Sequence, residues 1–208
     1  FRGDLMQCQK DFAILCLQTR QLTDHVGRPL PEQNMMLWGW ESAHNKVFCS
    51  LAAVTALAIA ADDTASFHWA VDAFDFVLNQ IEDDGTHRAT LHEKGGRALL
   101  YHNFIADTIV PLALLADANG HRFLSDPRLT RLIRRLATSF DEPAYFEDVT
   151  SYPQEHDRFT LSGTSGWTVL YNAHIGDPII ASIASPNNLA YPLFAGSGRR
   201  FGGHPKYW

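Results

Sequence analysis

Apolar residues recur at helical spacing along most of this chain. Leu5, Cys8, Phe12, Leu15 and Cys16 mark one face of a helix predicted over 5–22. Thr23 to Pro31 breaks that pattern with Gly27 and two prolines. Ser42 is placed to cap a helix over about 42–61. Its alanines (Ala52, Ala53, Ala56, Ala58, Ala60 and Ala61) predict a face for close helix approach. After the turn at Asp62-Asp63-Thr64, Phe67, Ala70, Val71, Phe74, Val77, Leu78 and Ile81 line the buried side of the next helix, expected to end near Gln80. Asp83-Asp84-Gly85 reads as a turn. A long apolar helix follows over about 96–118, with a kink expected at Pro111 and an end at Asn119-Gly120. Asp126-Pro127 opens another helix, a cap followed by proline at the first helical position, running to about Ser139. Asp141 to Ser165 reads as polar and irregular, 166–173 as one more helix, and the chain from about 176 as a loop-rich tail.

Long helices joined by short turns predict antiparallel hairpins, hence an all-α fold in a single domain over 1–208. No repeat is visible, so a toroid, a bundle and an irregular solenoid all fit the pattern. No uninterrupted apolar run is long enough for a bilayer, so no membrane partner is expected. The chain begins at Phe1, which points to a processed, trimmed or partial chain.

A net charge of −6 gives no general reason to expect nucleic-acid binding. The charge is uneven, however. His87, Arg88, His92, Lys94 and Arg97 form one basic run, and Arg199, Arg200, His204 and Lys206 another. A basic cleft on an acidic protein suits a polyanion; two solvated loops are the plain alternative. Cys8, Cys16 and Cys49 allow one disulfide without fixing its partners.

The densest chemistry lies in Lys94-Gly95-Gly96-Arg97-Ala98-Leu99-Leu100-Tyr101-His102-Asn103-Phe104. Arg97 and Tyr101 are four apart and share a helical face. A phenol there can move a proton while the guanidinium steadies a carboxylate and favours the phenolate. That pairing suits β-elimination on a uronic-acid polymer, although a half-buried core tyrosine beside a surface arginine has the same spacing. Rival chemistries are less well supplied. His87, His92, His102 and His121 lack the paired spacing of a helical zinc site, so neither metal nor cofactor is expected. Thr164-Ser165-Gly166 is not a nucleophile elbow. Glu41, Glu93 and Asp107 do not pair as hydrolase acids would. Trp38 and Trp40 offer rings for stacking on sugars or for core packing.

The segment from Asn45 to Gly120 resembles the alginate lyases, the bacterial poly(mannuronate) lyase family. The likeness is carried by Trp69-Ala70-Val71, by Gln80-Ile81-Glu82-Asp83-Asp84-Gly85, by Arg97-Ala98-Leu99-Leu100-Tyr101-His102-Asn103-Phe104, by Pro111-Leu112 and by Ala118-Asn119-Gly120, in matching order and spacing. Weaker similarity continues through Trp167 and Tyr171 to Gly202-Gly203. The resemblance implies an (α/α) toroid and a metal-independent lyase. It implies that Asn45 and Arg97 bind and neutralise the C5 carboxyl group, and that Tyr101 takes the C5 proton and returns one to the departing O4. A tyrosine ordinarily titrates near about 10, so cationic neighbours are part of that expectation. His44, Lys94, His102, Trp40 and Trp167 are the expected substrate-binding residues. Periplasmic or secreted location follows from the same likeness.

The sequence departs from the family at informative places. His44-Asn45-Lys46 stands where the family has Asn-Asn-His, Lys94 where it has an arginine, and Val169 where it has a glutamate. Lys46 is expected to join the carboxylate clamp or, with its charge suppressed, to act as base. About one helix precedes the Asn45 motif, where the family has several. The expected fold is therefore the C-terminal part of a toroid, whose remainder lies in missing chain or is supplied by a second chain. The expected partner is an acidic polysaccharide. The function expected is cleavage of a uronate-containing glycan, with a non-catalytic homologue that binds an acidic glycan or a protein as the alternative.

Overall fold

The computed structural model describes residues 51–52, 54–140, 142–155 and 165–184. The chain divides into two compact units, Phe1–Asp75 and Phe76–Trp208. The helix expected over 5–22, the Ser42 cap, the three cysteines and the basic residues from Arg199 to Lys206 lie outside the described residues. Among the described residues no strand occurs; the extended pairing present is an isolated antiparallel bridge between Ile81 and His87. The described residues are mostly helical, consistent with the all-α class that the periodicity predicts.

In the first unit, residues 54–61 are helical. The expected alanine face needs correction. Leu51, Val54, Thr55 and Ala58 are buried, whereas Ala56, Ala60 and Ala61 are exposed. The helical period buries the side that carries Leu51, Val54, Thr55 and Ala58 and turns Ala56, Ala60 and Ala61 to water. Asp63 then opens α1 (Thr64–Leu78): its carboxylate accepts from the Ser66 backbone N–H at 3.1 Å and from the Ser66 hydroxyl at 2.6 Å. The buried residues of α1 are Ser66, Ala70, Val71, Ala73, Phe74, Val77 and Leu78, close to the predicted stripe, with Phe67 half-buried.

In the second unit, residues 82–87 form a tight turn, as expected for Asp83-Asp84-Gly85. The Asp84 carboxylate accepts from the backbone N–H of Thr86 at 2.8 Å and from its hydroxyl at 2.7 Å. Gly85 is needed here. Its φ is +87°, and a Cβ would stand 2.4 Å from the Arg131 carbonyl oxygen. The run read from sequence as loop is a short helix, α2 (Arg88–Lys94), and a 3₁₀ turn, Gly95–Arg97. His87 caps α2, its ring Nδ1 accepting from the Thr90 N–H at 3.3 Å.

The long helix α3 (Ala98–Asp117) continues through Pro111, which removes one backbone donor without ending the helix. By length and composition the stretch Gly95–Asp117 is apolar enough to cross a membrane, contrary to the reading above. Yet 67% of its most apolar window is buried inside the protein, as in a core helix that is apolar on every side. Ile105, Ala106, Ile109, Val110, Leu112 and Ala113 are all essentially inaccessible. Around α3 pack α2, α4 (Pro127–Thr138), α5 (Ala144–Thr150) and α6 (Gly166–Ile175), while α7 (Pro178–Ile183) lies against α4 and α6.

Besides α2, two more of these helices lie where the sequence pattern predicts loop. The irregular region from Asp141 contains α5, and the tail contains α7. The second omission was avoidable, because Asp177-Pro178 repeats the signal of Asp126-Pro127. Asp126 accepts from the Arg128 N–H at 2.8 Å, and Asp177 accepts from the Ile179 N–H at 2.9 Å. Asp177 is also held by Arg134 of α4 at 3.2 Å.

Candidate active site

Three of the expected site residues meet where α2 gives way to α3. Lys94 is the last residue of α2, Arg97 closes the 3₁₀ turn, and Tyr101 lies on the first turn of α3. The Lys94 ammonium sits 4.9 Å from the centroid of the Tyr101 ring, within cation–π range. That ring also meets Phe104 edge-to-face, centroids 5.5 Å apart. Tyr101 is half-buried and Arg97 exposed. Arg97 holds its proton above the ordinary arginine value, chiefly through a hydrogen bond from its guanidinium to Glu155 and the charge of that carboxylate, with a smaller contribution from Tyr101. The result is a half-buried phenol beside two cations. Such a group can relay a proton, and a guanidinium can pair with a carboxylate.

The face is braced by a segment that sequence reading left as irregular. Residues 152–155 run past the 3₁₀ turn like a strap. The Gln154 side-chain oxygen accepts the Leu99 backbone N–H at 3.0 Å, satisfying a donor that the helix start leaves without an intrahelical partner. The Gln154 amide nitrogen donates to the Gly95 carbonyl at 3.0 Å, and the Glu155 N–H donates to the Gly96 carbonyl at 2.6 Å. A side chain at position 96 would block this approach, because its Cβ would lie 2.8 Å from the Pro153 carbonyl oxygen. Arg97 Nε donates to Glu155 Oε1 at 2.8 Å. Gln154 and Glu155 are thus site residues that no motif announced. They lie 55 and 58 positions from their partners, far outside the reach of helical periodicity.

His102 and Trp167 are placed differently from a substrate contact. His102 is inaccessible: its Nδ1–H donates to the Ala98 carbonyl at 2.7 Å, and its Nε2 accepts the His87 backbone N–H at 2.7 Å. Burial pushes the imidazole down to about 4, outweighing the opposite effects of the Ala98 carbonyl and the charge of Asp84. It is therefore neutral near pH 7 and ties the 82–87 turn to the first turn of α3. Trp167 is equally buried, its indole N–H donating to Asn103 Oδ1 at 2.7 Å. Against the expectation that these two meet the substrate, the structure places both inside, joining helices.

The same turn is anchored from its other side. The Tyr145 hydroxyl donates to Asp84, and the Arg135 guanidinium lies 3.6 Å over the Tyr145 ring. Burial, with the Asp84 carboxylate accepting from the hydroxyl, pushes the Tyr145 phenol up to about 12. Tyr145 therefore keeps its proton and serves as a donor. In the basic run, His87 is buried and Arg88 is paired with Glu82, which removes two of the expected contributors to a cationic cleft. Trp40, His44, Asn45 and Lys46 lie outside the described residues. Among the described residues no group of three or more metal-ligating side chains gathers.

The fold and this face define a helical protein presenting a tyrosine among cations on a core helix. A family model described as alginate lyase matches residues 27–146, more than half of the chain, which includes Lys94, Arg97 and Tyr101 but not the strap. The chain is similar to the alginate lyase of Pseudomonas entomophila, 32% identical over 184 residues, covering 86% of this chain and 46% of the relative. It is 29% identical over 143 residues to the alginate lyase of Pseudomonas putida, covering 66% of this chain and 39% of the relative. With that of Pseudomonas paraeruginosa it shares 26% over 161 residues, 75% and 43%. The chain belongs to the alginate lyase family. It spans about two-fifths of the length of the relatives it matches.

Proposed function

We propose that this chain forms part of a polysaccharide lyase that cleaves an anionic, uronate-containing glycan, alginate or a related exopolysaccharide, by metal-independent β-elimination. The observation that carries the reading is the grouping of Lys94, Arg97 and Tyr101 at the start of α3, within the segment of family likeness. In this reading Arg97 and Asn45 pair with the C5 carboxyl group and withdraw charge from it, which acidifies the C5 proton. Tyr101 takes that proton, the C4–O4 bond breaks, a C4=C5 double bond forms, and the departing O4 is protonated from the same phenol. Elimination is then syn. Lys46 joins the carboxylate clamp, and His44 and Trp40 bind the neighbouring sugars. The helices form the C-terminal part of an (α/α) toroid, completed by further chain or by a second subunit. An extracellular polymer as substrate agrees with a periplasmic or secreted location.

The test is the ultraviolet absorbance of the conjugated product across a panel of uronate polymers. Tyr101→Phe is expected to lower turnover by at least about 100-fold, with binding of a saturated oligouronate nearly unchanged, because only a hydroxyl is removed. Near-normal turnover of that variant would refute the mechanism. The replacement of family residues by Lys46 and Lys94 favours one second reading, a non-catalytic glycan-binding homologue. Salt-sensitive binding with no unsaturated product from any polymer would decide for it.

A further inference from the structure

We infer that Glu155 is a built-in competitor for the Arg97 guanidinium, standing where a uronate carboxylate docks and so setting the affinity of this face for acidic glycans. The inference rests on the lyase reading in taking Arg97 as part of the carboxylate clamp. Three observations carry it. First, Glu155 Oε1 lies 2.8 Å from Arg97 Nε, a charge-assisted pairing of the kind a substrate carboxylate would make. Second, the pair is open to water: 58% of the Arg97 side chain and 55% of the Glu155 side chain are exposed. Exposed pairs of this kind are weakly held, so an incoming carboxylate can displace one. Third, the Glu155 carboxylate is not what fastens the strap. Its backbone N–H bonds the Gly96 carbonyl, and Gln154 supplies the bonds to Gly95 and Leu99. The carboxylate can therefore swing away while the strap and the α3 start stay in place.

The consequence is selective. A second carboxylate brought to Arg97 meets the negative charge of Glu155, and the two compete for one guanidinium. A neutral glycan does not need that guanidinium and does not compete. Glu155 thus acts on binding of the charged ligand, in the ground state and during elimination alike. Its removal should change KM and spare kcat.

The experiment compares the unmutated protein with Glu155→Gln in three measurements. These are turnover on the best uronate polymer, the Kd of a saturated oligouronate by calorimetry, and the melting temperature as a check on folding. The expected result is a KM and Kd lower by about two- to five-fold, the range of an exposed ion pair, with kcat within about two-fold. A neutral oligosaccharide of the same length should bind no better to the variant. An unchanged or raised KM and Kd in the folded variant would overturn the inference and assign Glu155 to orienting Arg97 instead. If the unmutated protein makes no unsaturated product yet binds the oligouronate, the lyase reading fails while the Kd comparison still decides this one. If neither protein binds it, both fail.

Discussion

Tyr101 and His102 are neighbours on one helix turn and face opposite surroundings. A rotation of roughly 100° per residue carries the phenol to the surface beside Lys94 and the imidazole into the core. The pH dependence of folding should report that burial. The His102 pKa falls from an ordinary 6.5 to about 4 in the folded protein. The folded state therefore keeps the ring neutral where the unfolded state protonates it, and stability falls as pH drops from about 6.5 toward 4. The drop attributable to this one group is about 3 kcal/mol. Urea unfolding followed across that range should show it, and His102→Gln should flatten the slope. Below it the depressed carboxylates, Asp84 and Asp126 among them, add their own losses. A wild-type stability constant from pH 7 to 4.5 would contradict the buried, neutral assignment.

At the scale of elements, the start of α3 is held by a part of the chain that is neither helix nor strand. Helix starts usually take their caps from the residue just before them. Here Arg97 supplies no side-chain cap, and Gln154 reaches in from the strap. Gln154→Ala removes the acceptor of a buried Leu99 N–H as well as the bonds to Gly95, Thr150 and the Tyr152 carbonyl. Loss of a buried partner costs about 1–3 kcal/mol, so a lowered melting temperature is expected, with faster hydrogen exchange at the Leu99 amide. Protection of that amide comparable to wild type would show that the strap is not what secures it. The two Asp-Pro helix starts behave differently, for each is capped within two or three residues and was readable by the same rule.

For the whole molecule, an acidic chain with a small cationic face predicts a ligand drawn in by charge. The effect should be modest in the described part, because His87 is buried and Arg88, Arg97 and Arg134 each have a carboxylate at hand. Binding of an acidic oligosaccharide is expected to weaken between low and physiological salt, where exposed charges are screened beyond about 8 Å. The slope should be shallow, reflecting the few cations at the start of α3. Equal affinity for a neutral oligosaccharide, or no salt effect, would count against an electrostatic role for that face.

Local patterning was enough to reveal the helical class, the buried stripe of α1, the span of α3 and the Asp126-Pro127 start. Each depends on neighbours three or four residues away, and a single sequence carries such information directly. The spacing of Lys94, Arg97 and Tyr101 along the chain was equally open to view. Tertiary structure decided what each of them meets. It turned His102 and Trp167 inward, folded much of the basic run into a helix with His87 buried at its start and Arg88 paired with Glu82, and brought Gln154 and Glu155 across more than fifty residues to the Arg97 turn. Those outcomes depend on which surfaces exclude water together, and periodicity along one element does not specify its partner.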